Sequence, residues 1–275
     1  MNFKSFLVRF LVALVLGPLL LYILYLGKMY LFVFVALLTL FSLKEFFDMA
    51  VNKSAHGQLI IGGASSIAIL LSIYYHSPIA IATFILISII AIFFKELYQK
   101  QGSAIINISI TLFGTLYLSF LYGSFLLFRD IPMYKELPYQ YAGFWFIMIF
   151  LTTWLCDTAA YIIGSSFGKH KLIKRISPNK TIEGTAAGFI AAIIGAFICH
   201  VWFIDGLRLV DSLIIGAIIG SFGQYGDLFE SMLKRDAGVK DSSNLIPGHG
   251  GVLDRFDSLM ISTPIIYIYL MYYAL

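Results

Sequence analysis

Long apolar runs separated by short polar breaks set the organisation of this chain. Windows of about 20 residues give nine such runs: Leu7–Leu26, Met29–Leu43, Leu59–Tyr75, Pro78–Phe94, Ile105–Phe128, Tyr141–Gly164, Thr185–Ile204, Leu209–Gly223 and Val252–Ala274. A backbone in lipid must satisfy its own hydrogen bonds, so each run is expected to be a helix. The break between the first two is only Gly27 and Lys28, which predicts a tight helical hairpin. Pro18, inside the first run, is tolerable because neighbouring groups can take up the carbonyl it frees. The pattern predicts an all-α polytopic membrane protein of about nine transmembrane helices.

Composition agrees with the pattern. Of 275 residues 60% are hydrophobic and 12% charged, too few polar groups to cover a soluble globule of this size. The first run is too long for a signal-peptide core and no small-residue cleavage pattern ends it, so it is read as a span. Cys156 and Cys199 both lie in apolar segments and are expected to be packing residues, not a disulfide or a metal site.

Basic residues orient the spans. With a cytoplasmic N-terminus, 15 of the 19 Lys and Arg fall inside, and only Lys28, Arg129, Lys135 and Arg208 fall outside. That bias predicts the nine-span topology with the C-terminus outside. Polar clusters concentrate after Trp154, so residues 1–138 read as packing and lipid-facing helices and residues 139–275 as the working region.

Three clusters carry candidate chemistry. In "SFGQYGDLFESMLKRDAGVKD" (Ser221 to Asp241), Asp227, Glu230, Ser231 and Lys234 share one helical face, continuing a run in which Gly216 and Gly220 have the spacing for close helix approach. The same stripe also fits a solvated juxtamembrane helix with paired charges. In "LIPGHGGVLDRFDS" (Leu245 to Ser258), Pro247, Gly248, Gly250 and Gly251 force a turn whose N–H groups can face an anion, just before a helix start. Asp254 and Asp257 lie one turn apart there, with Arg255 on another face. Carboxylates beside phosphate-binding backbone call for a divalent cation between them, and Mg²⁺ prefers carboxylates plus phosphate oxygens. An N-terminal cap with a surface salt bridge is the blander reading.

The third cluster runs from Trp154 to Gly184. Asp157 is an acid inside an apolar run, a functional suspect by default. A basic loop follows it, with Lys169, Lys171, Lys174, Arg175 and Lys180, and lipid headgroups alone would account for that loop. Ser177, Lys180 and Thr181 offer phosphate contacts before a helix with Glu183 in its first turn. No P-loop, Ser-His-Asp set or GxGxxG occurs, and the short basic clusters do not argue for nucleic acid. His56, His76, His170 and His200 have no metal-ligand spacing, whereas His249 lies among glycines.

The ordered set "SMLKR" from Ser231, "KD" at Lys240 and Asp241, and "IPGHGGVLDRFD" from Ile246 to Asp257 resembles the signature of the phosphatidate cytidylyltransferases. "GDLFES" and "SPNKTIEG" resemble that family's preceding motifs, with Asn179 where a glycine is common and Ile182 where a tryptophan is common. The resemblance implies a bacterial-type inner-membrane enzyme with its site at the cytoplasmic face, converting CTP and phosphatidate to CDP-diacylglycerol and pyrophosphate. It implies Mg²⁺ and a second cation such as K⁺, with Asp227 and Asp254 at a metal centre, and a homodimer.

Residue types then distribute roles. Asp257, Asp241 and Glu230 would be further ligands or would orient the ligands; Lys234, Arg235 and Lys240 would face the triphosphate or the lipid phosphate. His249, Gly250 and Gly251 would shape a phosphate-binding turn, and Ser177, Lys180, Thr181, Glu183, Arg255 and Asp157 would complete substrate binding. An isoprenoid-type lipid phosphate is the alternative acceptor. A cation-coupled transporter is the alternative of another class, against which stand the missing inverted repeat and the one-sided polar residues.

Overall fold

The computed structural model describes residues 3–246 and 250–275, with side chains from residue 14 onward. Pro247, Gly248 and His249, and with them the phosphate-contacting role expected of His249, lie outside the described residues. Each apolar run falls on a helix: α1 (Phe3–Leu26), α2 (Lys28–Val51), α3 (Leu59–Tyr74), α4 (Pro78–Glu96), α5 (Ala104–Arg129), α7 (Tyr139–Phe167), α8 (Ile182–Phe203), α9 (Leu209–Ile218) and α11 (Leu253–Tyr269). A single turn, α6 (Ile131–Tyr134), and α10 (Gln224–Asp236) complete the helices. Six of the described helical stretches are long and apolar enough to cross a membrane, and α3 is a shorter apolar helix. Only 11% of the apolar window of α4 is buried, and Ile79, Leu86, Ile90 and Phe94 stand exposed, as a lipid-facing helix requires.

The chain forms two compact units. The first gathers α1 up to Gly17, Lys28–Leu127 and Lys234–Arg255. Here α2 runs on past Leu43 to Val51, because its polar residues divide by face. Lys44 and Asp48 pair at 2.5 Å on the exposed side, while Glu45 is buried beside Phe46 and Phe47. A hydropathy window ends at such a charged stretch; a helix need not. A buried polar knot ties the ends of α4 and α5 to the turn before α3. Gln58 Nε2 and Asn107 Nδ2 each donate to Glu96 at 2.8 Å, and His56 N donates to Asn107 Oδ1 at 2.7 Å.

The second unit gathers Pro18–Gly27, Phe128–Leu233 and Phe256–Leu275. Its core is built by α7, α8 and α9 around Trp145, Phe146, Ile149, Ala192, Ala196 and Ile215. A Cβ at Gly216 would stand 2.8 Å from Ala192 O, and one at Gly220 2.8 Å from Phe189 Cα, so the small-residue pair does give close approach of helices. Arg129 is buried and donates to Leu24 O (3.1 Å), Tyr25 O (2.6 Å) and Tyr139 O (2.5 Å), with its guanidinium 3.8 Å from the centre of the Tyr139 ring. It thereby satisfies carbonyls in the last turn of α1 that no helical N–H can reach.

Two local features depart from the sequence reading. The basic loop after α7 is a small antiparallel hairpin, β1 (Lys171–Ile173) with β2 (Ser177–Thr181), pairing Lys171 with Thr181 and Ile173 with Ser177. The polar helix does continue the eighth apolar run, giving one helical stretch from Leu209 to Asp236, but a π-helical turn at Ile219–Gly223 interrupts it. Ser221 Oγ donates to Ala217 O at 2.6 Å and Gln224 Nε2 to Gly220 O at 2.5 Å within that turn. One inserted residue rotates the downstream helix by about 100°. The acidic stripe of α10 therefore has a different phase from the glycine face of α9.

Candidate functional site

In the second unit, α10 and the hairpin present Asp227 and Lys180 to each other. Lys180 Nζ lies 2.6 Å from Asp227 Oδ2, and Ser231 Oγ donates to Asp227 Oδ1 at 3.2 Å, one helical turn away. Both side chains of the ion pair are partly open, 27% exposed for Lys180 and 36% for Asp227, so a soluble anion can reach them. Glu230 is fully buried on the same helix. The start of α11 packs directly on α10 at Gly226, where a Cβ would come within 3.1 Å of the Asp257 carbonyl carbon and the Ser258 Cα. Only glycine admits that approach, and it brings the Asp257 backbone against the residue next to Asp227. Asp257 Oδ1 accepts from Ser258 N at 2.6 Å.

The hairpin residues separate into structural and available groups. Thr181 is buried and caps α8, its hydroxyl accepting from Gly184 N at 3.2 Å. Glu183 accepts from Lys169 N at 3.1 Å and His170 N at 3.2 Å and pairs with His170 Nδ1 at 2.6 Å. These two were expected to touch substrate, and here they fasten the hairpin to α8. Ser177 and Lys180 are half-buried along β2, and Asp157 is exposed on α7.

In the first unit the signature segment is organised around Asp254. Its Oδ1 pairs with Lys234 Nζ, both side chains being at least nine-tenths buried. Its Oδ2 accepts from Ser242 N (3.0 Å), Ser242 Oγ (2.9 Å) and Gly251 N (2.9 Å). Gly250 has φ +83°, a left-handed backbone, and its carbonyl accepts from Ile246 N at 2.9 Å, closing the turn. Asp241 lies beside Gly250, whose Cβ would stand 3.8 Å from that of Asp241. Lys240, Asp241, Arg235 and Arg255 are exposed, and Arg235 Nη1 donates to Val239 O at 2.7 Å.

Sequence reasoning missed Glu45. This buried carboxylate of α2 accepts from Ser243 Oγ (2.6 Å) and Val252 N (2.8 Å) on Oε1, and from Ser242 Oγ (2.9 Å) and Leu253 N (2.8 Å) on Oε2. Glu45 lies two residues beyond the apolar run Met29–Leu43, after Lys44, and only the apolar residues on either side of Lys44 and Glu45 in "SLKEFF" hint at its burial.

The oxygens of these aspartates are hard donors of the type Mg²⁺ takes. Among the described residues, no group of three or more His, Cys, Asp or Glu side chains is arranged to hold a metal ion; lysine ammonium groups stand against Asp227 and Asp254. The carboxylates orient both lysines, Lys180 partly open to an incoming phosphate and Lys234 buried.

Residues 7–273 match the model of the Cytidylyltransferase family. The chain is 37% identical over 267 residues to a phosphatidate cytidylyltransferase of Staphylococcus haemolyticus, covering 96% of this chain and 98% of that protein. It is 35% identical over 256 residues to the Staphylococcus aureus protein of the same name, covering 89% and 91%. Over 124 residues it is 49% identical to that of Staphylococcus saprophyticus, which is 45% of this chain and 48% of the relative.

Proposed function

The chain belongs to the Cytidylyltransferase family, and from that premise we propose that it transfers CMP from CTP to phosphatidate, giving CDP-diacylglycerol and pyrophosphate. An anionic oxygen of the lipid phosphate attacks the α-phosphorus of CTP, the new P–O bond forms, and the bond to the β-phosphate oxygen breaks as pyrophosphate leaves. The nucleophile carries no proton that must be removed, so no general base is needed. The barrier lies in bringing two polyanions together, which positioning and positive charge lower.

The observation that carries this reading is the pairing of Lys180 with Asp227 and of Lys234 with Asp254, one pair in each unit, both on motif segments. A carboxylate that holds an ammonium in place before substrate arrives reduces the ordering cost at the moment of binding. Lys180, being partly exposed, is the one we assign to a phosphate of the incoming substrate. Lys240, Arg235 and Arg255 add exposed positive charge. Mg²⁺, when bound, would neutralise phosphate charge, with Asp227, Asp257 and Glu230 as its donors in the second unit and Asp254 and Asp241 in the first; a second cation such as K⁺ belongs to the same proposal.

The proposal extends to a multi-pass protein of the bacterial inner membrane with about nine spans, a cytoplasmic N-terminus and site, an outer C-terminus, and a homodimeric assembly. CTP then arrives from the cytosol while the acyl chains of phosphatidate stay in lipid. Labelled CTP, phosphatidate and the purified protein in detergent micelles test the reaction, with and without Mg²⁺ and beside Asp254→Ala. Mg²⁺-dependent CDP-lipid formation that Asp254→Ala abolishes is the expected result. A folded wild-type protein that leaves phosphatidate untouched but labels an isoprenoid lipid phosphate would defeat the choice of acceptor, and no transfer to any lipid phosphate would defeat the reaction.

A further inference from the structure

Glu45 lies about two hundred residues from the signature segment in sequence, yet its carboxylate is the acceptor for four of that segment's donors. Val252 N and Leu253 N are at the first turn of α11, where N–H groups have no helical partner. Among the described residues, the side chain that caps them is that of Glu45. Each Glu45 oxygen takes one of these backbone N–H groups and one serine hydroxyl, from Ser242 or Ser243.

The contact is close on every side. A Cβ at Gly251 would stand 2.7 Å from Glu45 Oε2 and would overlap Ser242 Oγ, so only glycine fits between them. Ser242 in turn donates to Asp254, whose other oxygen holds Lys234. The chain of contacts therefore runs from Glu45 through Ser242 to Asp254 and Lys234. Just beyond α2, Asn52 Nδ2 donates to Ala237 O at 3.2 Å and Lys53 Nζ pairs with Asp236 at 3.2 Å. The same end of α2 thus grips both ends of the segment from Asp236 to Leu253.

We infer that Glu45 is a positioning residue for the transfer reaction, fixing Ser242, Ser243, Val252 and Leu253 so that Asp254 and Lys234 keep their geometry. This rests on the proposed CMP transfer. Glu45 acts through Ser242 and the backbone at the start of α11. A displacement of about 1 Å at groups that orient substrate can cost about 10²-fold in rate.

Turnover and hydrogen–deuterium exchange of wild type, Glu45→Gln and Glu45→Ala in the same micelles decide it. Glutamine keeps one acceptor oxygen and presents N–H₂ where the other was, so one of the two backbone donors loses its partner; alanine removes both. In Glu45→Ala, CDP-lipid formation should fall by about 10²-fold, with deuterium uptake raised in peptides covering 242–253 and unchanged elsewhere. Glu45→Gln should be intermediate in both readings, which serves if the alanine variant does not fold. Wild-type turnover in either variant that removes the protection overturns the inference. So does uptake raised along the whole chain, which marks loss of general stability. A wild-type protein without transfer defeats the functional reading alone, because the exchange comparison still reports whether Glu45 holds the segment.

Discussion

Two lysine–aspartate pairs of the same chemistry should respond differently to the same substitution. Lys234 and Asp254 are both buried, so removing the ammonium leaves a desolvated carboxylate uncompensated, at a cost of about 3–5 kcal/mol. Lys234→Met is therefore expected to unfold at markedly lower temperature in micelles. Lys180 and Asp227 are screened by solvent, and such pairs are worth about 0–1 kcal/mol. Lys180→Met should melt like wild type while losing CMP transfer, and an equal loss of thermal stability in the two variants would refute the distinction. Gly251→Ala belongs with the buried pair: its methyl group has to displace Ser242 or Glu45, a change expected to cost about 1–3 kcal/mol and to lower turnover with it. Residue types and spacing made Asp227, Lys180, Asp254 and Lys234 legible in the sequence. Which lysine meets which aspartate was not, because the pairing depends on tertiary placement. Glu45 stayed hidden for the same reason, its four donors lying far along the chain.

Helices were legible because lipid leaves an apolar segment little alternative, and their ends were less so because charge pairing at the surface does not stop a helix. The hairpin escaped the sequence reading since three residues in β1 carry no periodicity, and the π turn because one extra residue leaves no compositional mark. Each element nevertheless rests on nameable contacts. Thr181 ends β2 and starts α8 in the same residue, so Thr181→Ala should destabilise by about 1 kcal/mol while Thr181→Ser, which retains the oxygen, should not. Thermal unfolding of the two variants in one detergent separates them. Where α9 meets α8, Gly216→Val would put a branched Cβ 2.8 Å from Ala192 O and 2.9 Å from Ile193 Cα. An overpacking cost of about 1–3 kcal/mol or more is expected there, and a neutral result would mean the helices are free to part.

At the scale of the molecule, the proposed orientation makes a prediction about which surface each turn reaches. Cys156 and Cys199 are both buried, so single cysteines introduced on exposed turns can be read against a quiet background. Lys174→Cys, on the hairpin, should react with an impermeant maleimide only from the cytoplasmic side, and Glu136→Cys, after α6, only from the other. Labelling of both from one side would reverse part of the topology.

Arg129 changes how that orientation is to be understood. Counted along the chain it is one of four bases opposing the inward bias, yet its guanidinium is spent on three carbonyls and the face of Tyr139. Arg208, by contrast, stays exposed and pairs with Asp211 at 2.8 Å. Buried at a helix end, the Arg129 guanidinium keeps its charge but cannot touch lipid headgroups directly once the unit is folded. During insertion, before α7 follows it in the chain, the same residue would be open to direct contact. On the proposed orientation, the outer surface of the folded protein therefore offers one base fewer to direct contact than the unfolded chain does.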